Sequence, residues 1–152
     1  MDAKVKTRFK IKTAVFLLLI QDDEILLLRR FNTGIDDGCY VVPMGCINGN
    51  ETITQALFRE AQEEANIFPV NPRFSHVMHR LHKLPDGSEF EQIDFFFIAN
   101  DYVGTLHNNE PHKCDELAFY PLNQLPEKTV SFIRAALSKS LNSNAFSEFG
   151  WE

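Results

Sequence analysis

The sequence is poor in cysteine, and its few cysteines do not form the pattern of a disulfide framework. Cys39, Cys46 and Cys114 are the three cysteines of the 152-residue chain, and no CxxC pair occurs among them. A reduced, cytoplasmic compartment is therefore the simplest expectation. None of the three is recognisable as part of a Cys–His–Asp set, so a nucleophilic cysteine is not expected.

Long hydrophobic runs and an excess of positive charge are also missing. Residues 15–20 are apolar but fall far short of the roughly 20 residues that cross a bilayer, and the first residues show no signal-peptide pattern. The formal net charge of −6 argues against a surface for nucleic-acid polymers, which requires a basic patch. We therefore expect neither a membrane nor a nucleic-acid polymer as a partner. A small nucleotide is compatible with this charge, because a bound cation reverses the local field.

Apolar, β-branched and aromatic residues, including 14 phenylalanines, fall mostly in runs bounded by turn residues, which predicts strands. The predicted strands are a first hairpin over residues 9–20 and 24–29, a short strand over 40–42, a second hairpin over 74–84 and 93–99, and a short strand over 116–121. Loops are predicted over residues 31–39, 44–50 and 100–115, where turn-forming and polar residues concentrate.

Two helices are predicted, over residues 52–65 and 127–141, from the spacing of their apolar positions. Asn66 follows the first helix, where a left-handed cap residue is needed. Residues 143–152 form a polar and aromatic tail for which no structure is predicted. Two helices and several strands predict a single α+β domain over residues 1–152, a three-layer α/β/α sandwich around a mixed β-sheet.

The first helix carries the most informative pattern in the chain. Glu60, Glu63 and Glu64 occupy positions i, i+3 and i+4, so their side chains fall within one narrow arc. A solvated acidic face is the ordinary explanation of such a pattern. Here Ile53 and Leu57 lie on the same stripe, so the carboxylates extend the core-facing side of the helix. Crowded and partly buried like charges cost stability, and a divalent cation bound together with substrate phosphates would offset that cost.

Residues 45–67 resemble the signature of the Nudix hydrolases. That signature consists, in order, of Gly, five residues, Glu, seven residues, Arg-Glu, an aliphatic residue, any residue, Glu-Glu, any residue, Gly and an aliphatic residue. The matching positions are Gly45, Glu51, Arg59, Glu60, Glu63, Glu64 and Ile67. Asn66 departs from the family's Gly, Ala61 is a small aliphatic residue, and Met44 replaces a smaller residue before Gly45. The resemblance covers about residues 9–141.

The resemblance implies hydrolysis of the diphosphate bond of a nucleoside diphosphate linked to another group. It implies Glu60, Glu63 and Glu64 as ligands of Mg²⁺, for which Mn²⁺ would substitute, and the Met44 carbonyl as a further candidate ligand. Glu51 and Arg59 would form an ion pair that orients these carboxylates.

Further site residues are expected outside the signature. Glu116 resembles a downstream acidic position that some family members use near the metal, so we expect it as a fourth metal ligand and catalytic carboxylate. An exposed acid at the start of a strand is the alternative for Glu116. Candidates for substrate contact, by position and type, are Arg29, Arg30, Asn32, Thr33, Tyr40, His79 and Arg80. His76, His79 and His82 recur every third residue of a predicted strand and cannot share one face, so no metal site is expected there.

The substrate is left open by the sequence. A nucleoside triphosphate, normal or damaged, that is cleaved to the monophosphate and pyrophosphate is favoured. ADP-ribose or another nucleotide sugar or dinucleotide is an alternative substrate. A nucleotide sensor that leaves its ligand intact, and an acidic-helix protein that binds Ca²⁺ or a basic partner, are alternatives of other classes. The oligomeric state is also open, a homodimer included.

Overall fold

The computed structural model describes residues 7–152, which form ten strands and two helices. The strands are β1 (Lys12–Gln21), β2 (Glu24–Arg30), β3 (Tyr40–Val41), β4 (Met44–Cys46), β5 (Ile67–Pro69), β6 (Arg73–Lys83), β7 (Glu89–Ala99), β8 (Tyr102–Gly104), β9 (Cys114–Pro121) and β10 (Phe146–Phe149), and the helices are α1 (Ile53–Ala65) and α2 (Ser131–Leu141). Within this range neither helix has the length and apolar character needed to cross a membrane.

The described strands form one mixed sheet of eight strands and a small sheet of β5 and β8. The order along the large sheet is β10-β6-β7-β1-β2-β3, and β4 and β9 pair with β1 and β2. Strands β6 and β7 are antiparallel, as the predicted hairpin requires. Strands β1 and β7 are parallel, which makes the sheet mixed.

Strands β1 and β2 pair only next to the turn that joins them. Asp22 and Asp23 form that turn with φ angles of 51° and 61°, as a two-residue hairpin turn with left-handed residues requires. The paired positions are Ile20 with Ile25 and Gln21 with Glu24. Farther from the turn, β4 takes the place of β2 beside β1. The two strands therefore separate, and the space between them opens to one side of the sheet.

The core lies on both faces of the large sheet, as alternation along β1 shows. Phe16 and Leu18 pack toward α2, whereas Leu17 and Leu19 pack toward α1. All four are completely buried, because successive strand residues point to opposite faces and each face is covered by a helix. The predicted α+β class, with helices on both sides of a mixed sheet, is confirmed.

Helix α2 begins four residues later than predicted, at Ser131 instead of residue 127. The Pro126 carbonyl accepts hydrogen bonds from the Thr129 backbone N–H at 3.0 Å and from Thr129 Oγ1 at 2.7 Å. This local turn satisfies the backbone groups that a longer helix would have paired. The periodicity of the apolar residues does not distinguish a helix that begins at residue 127 from a turn followed by a helix that begins at Ser131.

The other differences are strands in segments without a predicted strand. Strand β10 forms in the tail and pairs in parallel with β6. His76, completely buried, is in hydrogen-bonding contact with the Asn144 carbonyl at 2.6 Å and with Ser147 Oγ at 2.7 Å. Strands β4 and β8 lie in the predicted loops over residues 44–50 and 100–115, and β5 follows α1 directly. These strands are three or four residues long, so no period-2 pattern distinguishes them.

Candidate active site

A cleft of about 620 Å³ opens where β1 and β2 separate. It is lined by β4, the second half of α1, the loop after β2, the ends of β6 and β7 and the loop before β9. A cleft of this volume falls within the range of small-molecule sites in proteins, about 300–1,000 Å³.

Helix α1 places its carboxylates in the cleft because both of its ends are fixed. At the start, the Gln55 backbone N–H donates to Thr52 Oγ1 at 3.1 Å, and Gln55 Oε1 accepts from the Thr52 N–H at 2.8 Å. This capping box satisfies two backbone donors. At the end, Asn66 adopts φ 59° and ψ 35°, the left-handed conformation expected of it. Leu57 and Ala61 are buried against the sheet, which directs Glu60 and Glu64 toward β4.

Gly45 allows this close approach of β4 to α1. A Cβ atom at position 45 would lie 2.0 Å from the Glu60 carboxyl carbon, so no other residue fits without displacing that carboxylate. The Met44 backbone N–H donates to Glu64 Oε2 at 3.3 Å. Backbone and carboxylates therefore meet along this edge of the cleft.

Arg59 ties the carboxylates to the loop before α1. Its guanidinium donates to both Glu51 oxygens at 2.8 and 3.0 Å and to the Cys46 carbonyl at 3.0 Å. It also contacts Glu60 at 2.7 Å and Glu63 at 3.3 Å. The hydrogen bond from Arg59 holds the pKa of Glu51 below its ordinary value. Arg59 thus orients two of the predicted metal ligands from behind, the role that the resemblance implies.

Glu60 and Glu64 lie side by side along β4, because the Glu60 carboxylate lies against Gly45 and Glu64 Oε2 accepts from the N–H of the neighbouring Met44. Burial raises the pKa of Glu60, against the opposing effect of Arg59. Burial raises the pKa of Glu64 well above its ordinary value, and the Glu60 carboxylate adds to the effect. Two adjoining carboxylates of this kind require a shared proton or a cation between them.

The predicted ligands of a divalent cation are only partly assembled in the structure. Among residues 7–152, no three His, Cys, Asp or Glu side chains converge as a closed metal site. Glu60 and Glu64 already converge, whereas Glu63, with its side chain 48% exposed, is held at the rim by Arg59. Glu63 lines the same cleft as Glu60 and Glu64. Three carboxylates and backbone oxygens are the hard donors that Mg²⁺ and Mn²⁺ take.

Most of the predicted site residues line the cleft. Those that do are Arg30, Asn32, Thr33, Met44, Gly45, Glu60, Glu63, Glu64 and Arg80. His79 is not among them, because it points to the other face of β6, where it contacts Glu91 at 3.1 Å. His76 and His82 share the opposite face, in agreement with the expectation that the three histidines do not form one site.

Glu116, Tyr40 and Arg29 lie together outside the cleft lining, contrary to expectation. The Tyr40 hydroxyl donates to Glu116 Oε2 at 2.9 Å, and Arg29 Nη1 lies 3.5 Å from the same oxygen. Arg29 also forms a two-point ion pair with Asp115, at 2.7 and 3.1 Å. The cause is register, because Glu116 lies directly opposite Arg29 across β2 and β9. These contacts join β2, β3 and β9, and the metal and substrate roles expected of the three residues stay predictions.

The loop after β2 is preorganised by its own polar groups. The Asp37 carboxylate accepts from the backbone N–H groups of Thr33 and Gly34, both at 2.9 Å, and from Thr33 Oγ1 at 2.6 Å. These bonds, that from the Thr33 hydroxyl above all, hold the pKa of Asp37 below its ordinary value. Arg30 donates to the Ile35 carbonyl at 2.6 Å and to Thr33 Oγ1 at 3.1 Å. The loop therefore forms a shaped wall of the cleft.

Glu110 is a cleft residue that sequence reasoning missed. Its charge contributes to the raised pKa of Glu64, after burial and Glu60. The loop that carries it docks on the end of α1. Asn109 donates to the Glu64 backbone carbonyl at 3.2 Å and to the Gln62 carbonyl at 3.0 Å. Asn108 and Asn109 were the sequence signal that this loop contacts α1, because the last carbonyls of a helix need donors from outside it.

Three side chains at the floor of the cleft form a second group that only the structure assembles. Arg80 Nε donates to Asp94 Oδ2 at 2.6 Å, and Gln92 Nε2 donates to Asp94 Oδ1 at 2.6 Å. The Arg80 guanidinium carbon lies 3.9 Å from the centroid of the Phe132 ring. Arg80 was predicted as a substrate contact, but Asp94 and Gln92 were not. The signal for Asp94 was a charged residue inside a run of apolar strand residues, which requires a buried partner.

Comparison with known proteins places the whole arrangement in one family. The model of the NUDIX domain family matches residues 10–140. An ADP-ribose pyrophosphatase of Methanocaldococcus jannaschii is 31% identical over 114 residues, which is 75% of this chain and 64% of that protein. An uncharacterised Nudix hydrolase of Bacillus subtilis, YvcI, is 31% identical over 57% of this chain and 52% of its own length. The matched part of the chain thus spans less than two thirds of the length of either relative.

Solved structures show the same fold at lower identity. The MutT NUDIX hydrolase of Burkholderia pseudomallei superposes with a TM-score of 0.77 at 23% identity, over 86% of this chain and 98% of that one. A MutT protein of Methanosarcina mazei gives a TM-score of 0.74 at 22% identity, over 91% of this chain and 99% of that one. With the family model covering most of its length, the chain belongs to the Nudix family.

Proposed function

We propose that the protein hydrolyses the diphosphate bond of a nucleoside diphosphate linked to another group, with a divalent cation bound at the acidic end of the cleft. The observation that carries this proposal is the approach of Glu60 and Glu64 inside a cleft of ligand size. Without a cation, two partly buried carboxylates in contact only destabilise the fold. A binding function for a cation explains why the arrangement is present.

Glu60, Glu63 and Glu64 would hold the cation, Mg²⁺ in first place and Mn²⁺ as a substitute. A divalent cation bound there would neutralise the diphosphate and lower the pKa of an attacking water. Arg59 and Glu51 keep the ligands oriented, and Gly45 keeps the edge of β4 close to them.

Other charged side chains of the cleft have distinct proposed tasks. Lys12, Arg30 and Lys113 line the cleft and would contact the phosphate oxygens. Glu110 lines the cleft beside the acidic cluster, Glu60, Glu63 and Glu64, without being tied to Arg59. It would accept the proton of the attacking water.

Two substrate classes follow, and they differ in their products. A nucleoside triphosphate, normal or damaged, would give the monophosphate and pyrophosphate. Besides Arg80, three cationic residues, Lys12, Arg30 and Lys113, line the cleft and suit the higher charge of that substrate. ADP-ribose would give AMP and ribose 5-phosphate, and it is favoured by the similarity to the ADP-ribose pyrophosphatase of M. jannaschii.

A panel of nucleoside triphosphates and ADP-ribose, each incubated with Mg²⁺ or Mn²⁺ and separated by chromatography, tests the proposal. We expect metal-dependent turnover of at least one compound, and loss of that turnover in Glu63→Gln and Glu64→Gln with the fold retained by circular dichroism. Glu127→Gln, an exposed carboxylate outside the cleft lining, is the matched control and should retain full activity.

Three outcomes would overturn parts of the proposal. Undiminished activity in both cleft variants would refute the assigned metal site. A ligand that binds but stays intact for hours would indicate a nucleotide sensor. Absence of any stabilisation by Mg²⁺ or Mn²⁺, with or without nucleotides, would refute the proposed cation site.

A further inference from the structure

The floor of the cleft is built by a cross-strand pair. Arg80 on β6 and Gln92 on β7 are direct partners in the antiparallel register, so their side chains leave the sheet side by side on one face. Asp94 lies two residues beyond Gln92 on the same face. Arg80 and Gln92 line the cleft although they are only 4% and 5% exposed. The small exposed part of each side chain is therefore the part that a ligand meets.

Asp94 removes the net charge of this floor. It is completely buried, and each of its carboxylate oxygens accepts one hydrogen bond at 2.6 Å, from Arg80 Nε and Gln92 Nε2. Arg80 and Asp94 thus form a neutral pair. A phosphate group gains little from a guanidinium that a carboxylate already neutralises, whereas a neutral polar group can still use its free N–H bonds.

The same hydrogen bonds leave an acceptor on Gln92 and donors on Arg80 free. Because Gln92 donates to Asp94 through Nε2, its Oε1 faces away from Asp94, and within residues 7–152 no protein group donates to it. Arg80 uses Nε for Asp94 and Nη1 for His82 Nδ1 at 3.2 Å, which leaves Nη2 without an acceptor in the same part of the chain. Among the described residues, every buried side-chain N or O atom has a hydrogen-bond partner. Both free atoms are therefore reached from the cleft.

Flat side chains stand beside this floor. Phe90 and His82 line the cleft with ring centroids 4.9 Å apart. Lys12 Nζ lies 5.5 Å from the centroid of the Phe90 ring. On the inner side, the Phe132 ring supports the Arg80 guanidinium and holds its plane. A planar ligand that reaches the floor would meet an aromatic wall as well as a donor and an acceptor.

We infer that Arg80 and Gln92, held by Asp94, recognise the edge of a nucleobase on which an N–H lies beside an acceptor. The ligand N–H donates to Gln92 Oε1, and the neighbouring ligand acceptor takes the Arg80 Nη2 hydrogen. This inference rests on the proposed function for the rest of the nucleotide, whose phosphates lie toward the acidic cluster. A ligand without a base forms neither of these hydrogen bonds and leaves both atoms to water, so it binds more weakly. The protein is thereby specific for nucleotides over other diphosphates.

Titration of metal-free protein with 5′-monophosphates, followed by two-dimensional ¹H–¹⁵N NMR, tests recognition without any hydrolysis. The probes are AMP, GMP, CMP and UMP, each with such an edge, purine riboside 5′-monophosphate, whose purine ring has no N–H donor, and ribose 5-phosphate. We expect at least one of the first four to bind about tenfold more tightly than the last two, with shifts of the Gln92 side-chain amide signals. Equal affinity across the probes, or no detectable binding, would overturn the inference.

Gln92→Leu removes the acceptor, and we expect it to abolish the preference for base-bearing probes. Gln124→Leu, the same change at an exposed position outside the cleft, should leave the preference intact. Phe90→Leu gives a second variant, at the stacking wall, and should weaken the same probes without affecting ribose 5-phosphate. A preference that survives in both cleft variants would overturn the inference.

Hydrolysis separates this inference from the proposed function. For a nucleotide that the wild type cleaves, Gln92→Leu should raise KM about tenfold with kcat unchanged, whereas Gln124→Leu should change neither constant. If the wild type cleaves nothing while the NMR preference is present, the proposed function fails and the inference stands. If base-bearing and base-free compounds are cleaved with equal kcat/KM and no NMR preference exists, the inference fails and the proposed function stands.

Discussion

The two ends of the cleft solve the problem of buried charge in opposite ways. At the acidic end, Glu60 and Glu64 face each other, and Arg59 compensates only part of their charge. At the floor, Asp94 faces Arg80 at 2.6 Å and accepts a further bond from Gln92, so both carboxylate oxygens have a partner. The acidic end keeps negative charge that no protein group fully compensates, whereas the charges of Arg80 and Asp94 at the floor compensate each other.

Substitutions at the acidic end should therefore affect stability and function differently from substitutions at the floor. Removing a carboxylate from the acidic end relieves repulsion and removes a proposed metal ligand at the same time. Removing either charge from the floor leaves the other buried without a partner, which is costly for the fold itself.

Glu64→Gln should have the largest functional effect, with a fall in kcat of about 10³-fold or more, because several kcal/mol of metal stabilisation are lost. The same variant, without metal, should unfold about 2–4 °C higher than the wild type, because a repelling buried charge is gone. Single-turnover kinetics and differential scanning calorimetry measure the two effects. A variant that loses activity and stability together would show that Glu64 supports the fold and not the cation.

Arg80→Leu should have the largest effect on stability, a loss of about 3–5 kcal/mol, because Asp94 keeps a buried and unpaired charge. The double variant Arg80→Leu with Asp94→Leu should recover most of this loss, because no charge remains. Urea unfolding of the wild type and both variants gives the free energies. Equal destabilisation in the single and double variants would refute the account of the floor as a self-compensated pair.

Gly45→Ala should weaken divalent-cation binding by about 10–100-fold, the usual effect of disturbing the groups that orient metal ligands. A Cβ atom at this position meets the Glu60 carboxyl carbon at 2.0 Å and forces that carboxylate aside. Titration calorimetry with Mn²⁺ measures the change. Gly49→Ala is the control, because a Cβ atom at Gly49 meets nothing within 4 Å, and wild-type affinity in the Gly45 variant would contradict the prediction.

The smallest expected effect is the pH dependence of the metal-free protein. The pKa values of Glu60 and Glu64 are raised above the ordinary value of 4.5. At any pH between 4.5 and these raised pKa values, the folded state therefore binds more protons than the unfolded state. Their contribution to stability is therefore present below pH 4.5 and lost as pH rises through the folded pKa values. Thermal unfolding between pH 4 and pH 8 should show this fall, with a flatter profile in Glu64→Gln and after addition of Mg²⁺. Matching slopes in wild type and variant would contradict the assignment.

The sequence predicted the acidic end well and the floor hardly at all. Helical periodicity places the three glutamates on one arc of α1, and the resemblance to the Nudix signature added Gly45, Glu51 and Arg59 in the same continuous segment. Arg80 and Asp94 are brought together by the register of β6 and β7, which no local pattern specifies. The same limit explains Glu116, because only the register of β2 and β9 shows that it faces Arg29.

Most of the fold followed from the pattern of apolar residues, since β1, β2, β6, β7 and α1 are long enough to show their periods. The short strands β4, β5, β8 and β10 are specified by partners distant in sequence.

Strand β10 has a consequence for the behaviour of the protein in solution. It covers β6, the strand that carries Arg80, and Gly150 follows it where a Cβ atom would lie 2.2 Å from the Leu81 carbonyl oxygen. A shortened chain that ends near residue 143 would expose the edge of β6 and leave His76 without its contacts. An exposed strand edge pairs readily with other chains. Such a protein should aggregate, so the final ten residues protect solubility as well as the floor of the cleft.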